Sequence, residues 1–152
     1  MTEYDYDLLM NTNIKGTYFM CKAVLPELKK KRGCSIVNVS SDAGLKGNYL
    51  CSAYCASKGA VTIFTKALAL ETASYGIRVN CICPGDIFTP LTEKQLEKES
   101  SRELALREMS SVYPLGRIGT DYEAASVIVF LASDAAGFVT GAAWSVDGGL
   151  TA

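Results

Sequence analysis

Residues 34–58 (CSIVNVSSDAGLKGNYLCSAYCASK) constrain the fold of this chain more than any other stretch. The β-branched segment at residues 35–40 predicts a short strand, and a polar loop then leads into a helical pattern that runs to about residue 75. Residues 78–83 and 143–146 have the same strand-like character, and each follows a helical pattern. The chain therefore alternates between helices and short apolar strands.

This alternation predicts an α/β fold. Helical patterns cover about residues 3–31, 52–75 and 124–131, so the three strands form two successive βαβ units with right-handed crossovers. We predict a partial doubly wound, Rossmann-like parallel sheet of about three strands with flanking helices, as one domain over residues 1–152. The first helix is expected to be bent or irregular near Asn13, because Gly16 and Pro26 interrupt its pattern.

The helix predicted over residues 52–75 has Ser52 as its N-cap and Gly76 as its left-handed terminator. Its apolar side chains form two adjacent stripes, one containing Val61 and the other containing Ile63. A helix that is apolar over so wide an arc is covered on two sides, for example by its own sheet and by a partner's helix. The polar strip that remains is made of Tyr54, Lys58 and Thr62.

Residues 86–112 carry little apolar periodicity. We predict a loop over residues 86–91 and one charged helix over residues 93–109, and such a weakly anchored excursion is expected to be a mobile flap. After it, Thr120 and Glu123 form a capping box at the start of the next helix.

Composition and charge exclude several classes of function. Fifteen basic and sixteen acidic residues give a formal net charge of -1, so we expect no nucleic-acid partner. No apolar run is long enough for a membrane span and the start MTEYDYD is not a secretory leader, so we expect a cytoplasmic protein without membrane association. The chain has no histidine, which removes the Ser-His-Asp and Cys-His arrangements and most catalytic zinc sites.

The six cysteines are expected to be reduced. Cys51 and Cys55, and Cys81 and Cys83, are spaced closely enough to suggest a metal. Neither pair has a zinc-knuckle spacing, so we interpret them as small buried apolar side chains and predict no metal site.

Tyr54, Lys58 and Ser41 are the residues best suited to chemistry. Tyr54 and Lys58 lie four residues apart and so share one face of a helix. A phenol ordinarily has a pKa near 10, and a neighbouring cation favours its ionised form. Ser41 follows a strand, and ligands of parallel sheets bind at the carboxyl ends of the strands. The Tyr-x-x-x-Lys pattern alone is short enough to arise by chance.

The surrounding sequence resembles the short-chain dehydrogenase/reductase family over essentially the whole chain. The matching segments, in order, are NTNIKG with Asn13, IVNVSSDAG with Ser41, YCASK with Tyr54 and Lys58, PGDIFTP from Pro84 to Pro90, and VTGAAWSVDGG near the end. The resemblance implies an NAD(P)-dependent oxidoreductase that interconverts a carbonyl compound and a secondary alcohol. The three residues between Tyr54 and Lys58 favour a ketone or alcohol dehydrogenase over an enoyl reductase.

The resemblance also assigns roles. Tyr54 would be the acid/base residue, Lys58 would favour its phenolate and bind the nicotinamide ribose, and Ser41 would hold the substrate oxygen. Asn13 would support a water that relays protons through Lys58. Thr89 would bind the carboxamide of NAD or NADP. The residues expected to contact the cofactor are Tyr54, Lys58, Pro84, Gly85, Ile87 and Thr89. Residues 86–112 would form the substrate lid, and the helices at about 3–31 and 52–75 would form a homo-oligomer.

One family feature is absent from the sequence. Family members seat the pyrophosphate on a glycine-rich turn between a strand and a helix, and neither G-x-x-x-G-x-G nor G-x-G-x-x-G occurs here. We interpret the chain as the catalytic half without the dinucleotide-binding half, with the strand at residues 35–40 left at an exposed edge. The alternatives are a non-catalytic oligomerisation module and a truncated remnant unable to bind the dinucleotide.

Overall fold

The computed structural model describes all residues 1–152 and has an α/β architecture. The strands are β1 (Ser35–Val39), β2 (Arg78–Pro84), β3 (Ile87–Phe88), β4 (Gly119–Thr120) and β5 (Ala143–Val146). The α-helices are α1 (Glu3–Met10), α2 (Gly16–Leu28), α3 (Ser52–Thr72), α4 (Pro90–Leu96), α5 (Arg102–Ser111) and α6 (Asp121–Ala132). None of these helices is both long enough and apolar enough to cross a membrane.

The main sheet has three parallel strands in the order β1-β2-β5, which confirms the predicted fold class. Ile36 lies opposite Val79, and Ile82 lies opposite Trp144. Helix α3 connects β1 to β2, and α6 lies between β2 and β5 in the chain, as two βαβ units require. A buried apolar cluster joins α2 and α3 to β2; it consists of Cys21, Leu68, Ala69, Ile77 and Val79.

Strand β1 forms one edge of the sheet, as expected from the sequence. The Cys34 carbonyl and the Ser40 N–H bond to β2. Because alternate residues of a strand bond to the same neighbour, the odd-numbered residues between them direct their main-chain N–H and C=O groups away from β2. Val39, at the end of β1, remains 49% exposed. This edge can therefore accept another strand.

The first helical segment is irregular where the sequence predicts it. A capping box of Thr2 and Asp5 starts α1, and residues Asn11–Lys15 form a π-helical turn between α1 and α2. The irregularity thus falls at Asn13. Pro26 lies within α2 without breaking it, and α2 ends at Leu28, three residues before the predicted end.

Helix α3 differs from the prediction in two details. Its N-cap is Cys51, which makes no side-chain capping bond, and Ser52 is the first helical residue. Thr62 is buried, because its hydroxyl bonds to Ser40 beneath the helix, so Thr62 does not belong to an exposed polar strip. Gly76 is left-handed, as predicted, and it follows a short 3-10 turn at the end of α3.

The segment after β2 contains more structure than predicted. A short strand pair, β3 with β4, replaces part of the expected loop. Two helices, α4 and α5, replace the single helix over residues 93–109. The break occurs because Ser101 adopts an extended conformation and caps α5 by accepting a hydrogen bond from the Leu104 N–H.

Candidate active site

Three of the predicted site residues lie at the end of β1 and on the first turns of α3. Ser41 follows β1 and is 7% exposed. Tyr54 and Lys58 lie on successive turns of α3, and Tyr54 is 37% exposed. A phenol that is open to solvent and close to an ammonium can exchange a proton with a bound oxygen compound.

Lys58 extends toward the main chain of β1. Its Nζ donates a hydrogen bond to the Val39 carbonyl at 3.1 Å and lies 5.8 Å from the centre of the Tyr54 ring. Partial burial lowers the pKa of the Lys58 ammonium below its usual value, and the nearby Cys83 opposes this in smaller measure. The position of the ammonium is thus set by the end of β1.

The Ser41 hydroxyl belongs to a small polar network. Its Oγ donates to Asp42 Oδ1 at 2.7 Å and accepts from the Ala43 N–H at 3.2 Å. Asp42 Oδ2 accepts from Asn48 Nδ2 at 3.2 Å. Asp42 and Asn48 were not predicted; the only sequence signal was an acidic residue directly after the strand's terminal serines.

Asn13 contacts the start of α3. Its Nδ2 donates to Ser57 Oγ at 2.9 Å, and Ser57 Oγ in turn donates to the Tyr54 carbonyl at 2.8 Å. The π-helical turn is therefore tied to the helical turn that carries Tyr54. The Lys58 ammonium bonds to Val39 and not to the Asn13 side chain. Ser57 is fully buried and was also missed, because small helical serines carry no distinctive pattern.

Pro84, Gly85 and Ile87 lie where β2 ends. Pro84 pairs with Val146, and the Gly85 N–H donates to the Val146 carbonyl. A Cβ atom on Gly85 would lie 2.7 Å from Cε1 of Tyr113, so the close approach of that ring requires glycine. The Tyr113 hydroxyl accepts a hydrogen bond from the main chain at Asp86, and burial raises the Tyr113 pKa.

Thr89 lies beside a separate cavity. It caps α4 by accepting from the Thr92 N–H, and Thr92 Oγ1 donates to the Ile87 carbonyl at 2.7 Å. The cavity next to Thr89 has a volume of about 600 Å³. It is lined by Phe88, Thr89, Pro90, Glu93, Lys94, Glu97, Thr120 and Asp121. Ser41, Tyr54 and Lys58 do not line this cavity.

No group of three or more histidine, cysteine or acidic side chains is placed to hold a metal ion. Cys81 and Cys83 are fully buried in β2, in agreement with their interpretation as small apolar residues. Cys51 is exposed, so that interpretation was wrong for this residue: it stands at the open N-terminus of α3.

Comparisons with known proteins agree with this architecture. A family model described as enoyl-(acyl carrier protein) reductase matches residues 1–151. The chain is 47% identical over 150 residues to the 3-oxoacyl-(acyl-carrier-protein) reductase of Thermotoga maritima, covering 99% of this chain and 58% of that enzyme. The ligand-free structure of Thermoplasma acidophilum aldohexose dehydrogenase superposes with a TM-score of 0.93 at 37% identity, covering 99% of this chain and 61% of that one.

A second similar structure contains a cofactor. ElxO with NADP bound has a TM-score of 0.92 and 37% identity, covering 99% of this chain and 59% of ElxO. The chain belongs to the short-chain dehydrogenase/reductase family, and the relatives that it matches include a bovine L-fucose dehydrogenase, 46% identical over 141 residues, beside the 3-oxoacyl reductase. It spans between 52% and 61% of the length of these relatives.

The family implies a nicotinamide dinucleotide, and the residues present fit one end of it. The Tyr54 hydroxyl and the Lys58 ammonium are hydrogen-bond donors at the carboxyl end of a parallel sheet, where the hydroxyls of a nicotinamide ribose can be bound. Residues 1–152 contain no glycine-rich turn for the pyrophosphate. The fit is therefore limited to the nicotinamide end.

Proposed function

We propose that this chain supplies the proton-transfer part of an NAD(P)-dependent oxidoreductase that interconverts a carbonyl compound and a secondary alcohol. The observation that supports the proposal is that Tyr54 and Lys58 lie on successive turns of α3. The Lys58 ammonium is 5.8 Å from the centre of the Tyr54 ring and bonds to the end of β1, the strand that leads to Ser41. This arrangement occurs in a chain of the short-chain dehydrogenase/reductase family.

In the proposed reaction, Tyr54 gives a proton to the carbonyl oxygen during reduction and takes it back during oxidation of the alcohol. The Lys58 ammonium favours the phenolate because an opposite charge stabilises an anion. Ser41 holds the substrate oxygen next to Tyr54. The dinucleotide, when bound, supplies or accepts the hydride.

Three further roles are proposals of the same kind. Asn13 would support the start of α3 through Ser57 and, through a bound water, a proton path that includes Lys58. Thr89 would contact the carboxamide of NAD or NADP, with Pro84, Gly85 and Ile87 forming the adjoining main chain. Residues 86–112, which contain β3, α4 and α5, would close over the substrate as a lid.

Enoyl reduction is a second candidate function, because the matching family model carries that description. Such a reaction adds hydride and a proton across a carbon–carbon double bond instead of a carbonyl group. The two activities are separated by assaying an enoyl thioester beside a 3-oxoacyl thioester. We expect the 3-oxoacyl thioester to be reduced, since a 3-oxoacyl reductase is 47% identical to this chain.

We also propose that the chain self-associates through α1, α2 and α3. Ile63 and Leu70 on α3 are 63% and 82% exposed, and Phe19 and Met20 on α2 are 52% and 67% exposed. Ile63 and Leu70 belong to the α3 stripe that the sequence predicts to be covered, and Phe19 and Met20 add exposed apolar surface on α2. A surface of this kind is also what the alternative function, a non-catalytic association module, would use.

The test joins residues 1–152 to a dinucleotide-binding half. The amino-terminal part of the Thermotoga maritima reductase is fused ahead of Met1, and this fusion enzyme is assayed for NADH and NADPH oxidation with the thioesters and for NAD and NADP reduction with the aldohexose. The panel is an acetoacetyl thioester of N-acetylcysteamine, the matching crotonyl thioester and an aldohexose with NAD or NADP. We expect saturable turnover with one carbonyl–alcohol pair. A folded fusion enzyme that binds the dinucleotide but reacts with no pair would contradict the proposal.

A further inference from the structure

Asp42 is a buried carboxylate that the proposed proton transfer does not use. Its side chain is 8% exposed, and it takes part in none of the ion pairs of the structure. Both of its oxygens instead accept hydrogen bonds from neutral groups. Burying a charged group without a cation is costly, so its position next to Ser41 calls for a physical explanation.

The hydrogen bonds of Ser41 show how Asp42 limits the bonds that this hydroxyl can make to a substrate. A hydroxyl group has one proton and two lone pairs. The proton of Ser41 is donated to Asp42 at 2.7 Å, and one lone pair accepts the Ala43 N–H at 3.2 Å. One lone pair remains free. In this geometry Ser41 can accept a hydrogen bond from a substrate but cannot donate one.

The carboxylate is itself held from the other side. Asp42 Oδ2 accepts from the Asn48 side chain, while the Asn48 main-chain N–H bonds to Cys55 Sγ at 3.3 Å and its carbonyl accepts from the Cys51 N–H at 3.1 Å. Asn48 is thereby fixed to the beginning of α3. The Asp42 carboxylate is therefore anchored to the helix that carries Tyr54.

We propose that Asp42 is a positioning residue. It holds the proton of the Ser41 hydroxyl, so that Ser41 can only accept a hydrogen bond from a substrate. The resting site therefore binds the alcohol in preference to the carbonyl compound. When Tyr54 holds its proton and donates it to the alcohol oxygen, the alcohol O–H can donate to the free lone pair of Ser41 without breaking any bond. A carbonyl oxygen must compete with a carboxylate for the Ser41 proton, and charged acceptors form the stronger bonds. This inference rests on the proposed function and adds the form of the substrate that the site prefers.

The experiment measures binding in complexes that cannot react. In the fusion enzyme, the dissociation constant of the acetoacetyl thioester is measured with the oxidised dinucleotide, and that of the 3-hydroxybutyryl thioester with the reduced dinucleotide. The Asp42→Ala variant should bind the ketone about tenfold more tightly relative to the alcohol, because the Ser41 proton is released. In a Ser41→Ala background the same substitution should leave this ratio unchanged.

Two further variants keep the result interpretable. Asp42→Asn retains an acceptor for Ser41, so its ratio of ketone to alcohol dissociation constants should lie between those of the wild type and Asp42→Ala. This variant replaces Asp42→Ala in the test if Asp42→Ala does not fold. Asn48→Ala removes only the outer bond and should change the ratio least. An unchanged ratio in the folded Asp42 variants, or an equal shift without the Ser41 hydroxyl, overturns the inference while the proposed function stands. An unsubstituted fusion enzyme that turns over no carbonyl–alcohol pair overturns both.

Discussion

At the scale of single residues, the position of the Lys58 ammonium lowers its pKa. Its ammonium is partly removed from water and bonds to the Val39 carbonyl, which carries no formal charge. Burial lowers the Lys58 pKa from the ordinary lysine value of 10.5. The folded chain therefore holds this proton less tightly than the unfolded chain does.

This difference predicts how stability changes at alkaline pH. As the pH rises toward 10.5, the folded chain loses the Lys58 proton while the unfolded chain still binds it. The free energy of unfolding therefore increases, and the folded chain becomes more stable. The gain should be present in the wild type and absent in Lys58→Met, as measured by urea unfolding between neutral and alkaline pH. Lys66→Met, on the exposed side of the same helix, controls for the loss of one charge. A difference between the wild type and Lys58→Met that does not vary with pH would contradict the prediction.

The sequence predicted the elements on which the candidate site residues lie better than it predicted their hydrogen bonds. Ser41, Tyr54 and Lys58 follow from strand and helix periodicity, because a strand end and two successive helical turns have fixed positions. The contacts of Asp42 and Ser57 depend on side-chain directions in loops and on a buried helix face. Periodicity does not define those directions, so neither residue could be selected from the sequence.

At the scale of secondary-structure elements, the contact between the β1 loop and α3 depends on Gly44. A Cβ atom at this position would collide with Ser40 Oγ and lie 2.8 Å from the Lys58 carbonyl oxygen. The loop can therefore lie against the helix only where no side chain is present. This close approach places Ser41 beside the turns of α3 that carry Tyr54 and Lys58.

Gly44→Ala should consequently lower the free energy of unfolding by roughly 1–3 kcal/mol, the usual cost of overpacking. The matched control is Gly47→Ala in the same loop, where a Cβ atom would meet nothing within 4 Å, and its effect should stay within about 0.5 kcal/mol. Chemical unfolding of the two variants measures both values. Equal free energies of unfolding for Gly44→Ala and Gly47→Ala would show that the contact of Gly44 with α3 does tolerate a side chain.

Some element boundaries were predictable from local signals, although Ser52 was wrongly predicted to be the N-cap of α3. The capping box at Thr120 and Glu123 and the left-handed Gly76 mark their helix ends as expected. The division of the predicted helix over residues 93–109 into α4 and α5 was missed, because every residue near Ser101 is compatible with a helix. The β3–β4 pair was missed because two-residue strands depend on tertiary contact rather than on alternation.

At the scale of the whole molecule, the exposed apolar face of α2 and α3 makes self-association testable. If Ile63 and Leu70 are buried between copies of the chain, Ile63→Asp should shift the sedimentation profile from an oligomer toward the monomer, since burying an unpaired charge is costly. Leu104→Asp on α5, where the wild-type side chain is 57% exposed, serves as the control and should leave the profile unchanged. A wild-type chain that sediments as a monomer, or an Ile63→Asp variant that remains oligomeric, would contradict the prediction.

The central claim is that Tyr54 transfers the proton in a carbonyl–alcohol interconversion, and replacing its hydroxyl tests that claim most directly. In the fusion enzyme, Tyr54→Phe should reduce kcat for NAD(P)H-dependent carbonyl reduction by roughly 10³-fold, the usual scale of general acid catalysis. The exposed neighbour Tyr49, which is 91% accessible, provides the control, and Tyr49→Phe should retain turnover. Dinucleotide binding measured in parallel verifies that each variant is folded. Unchanged turnover in Tyr54→Phe, with binding intact, would contradict the account.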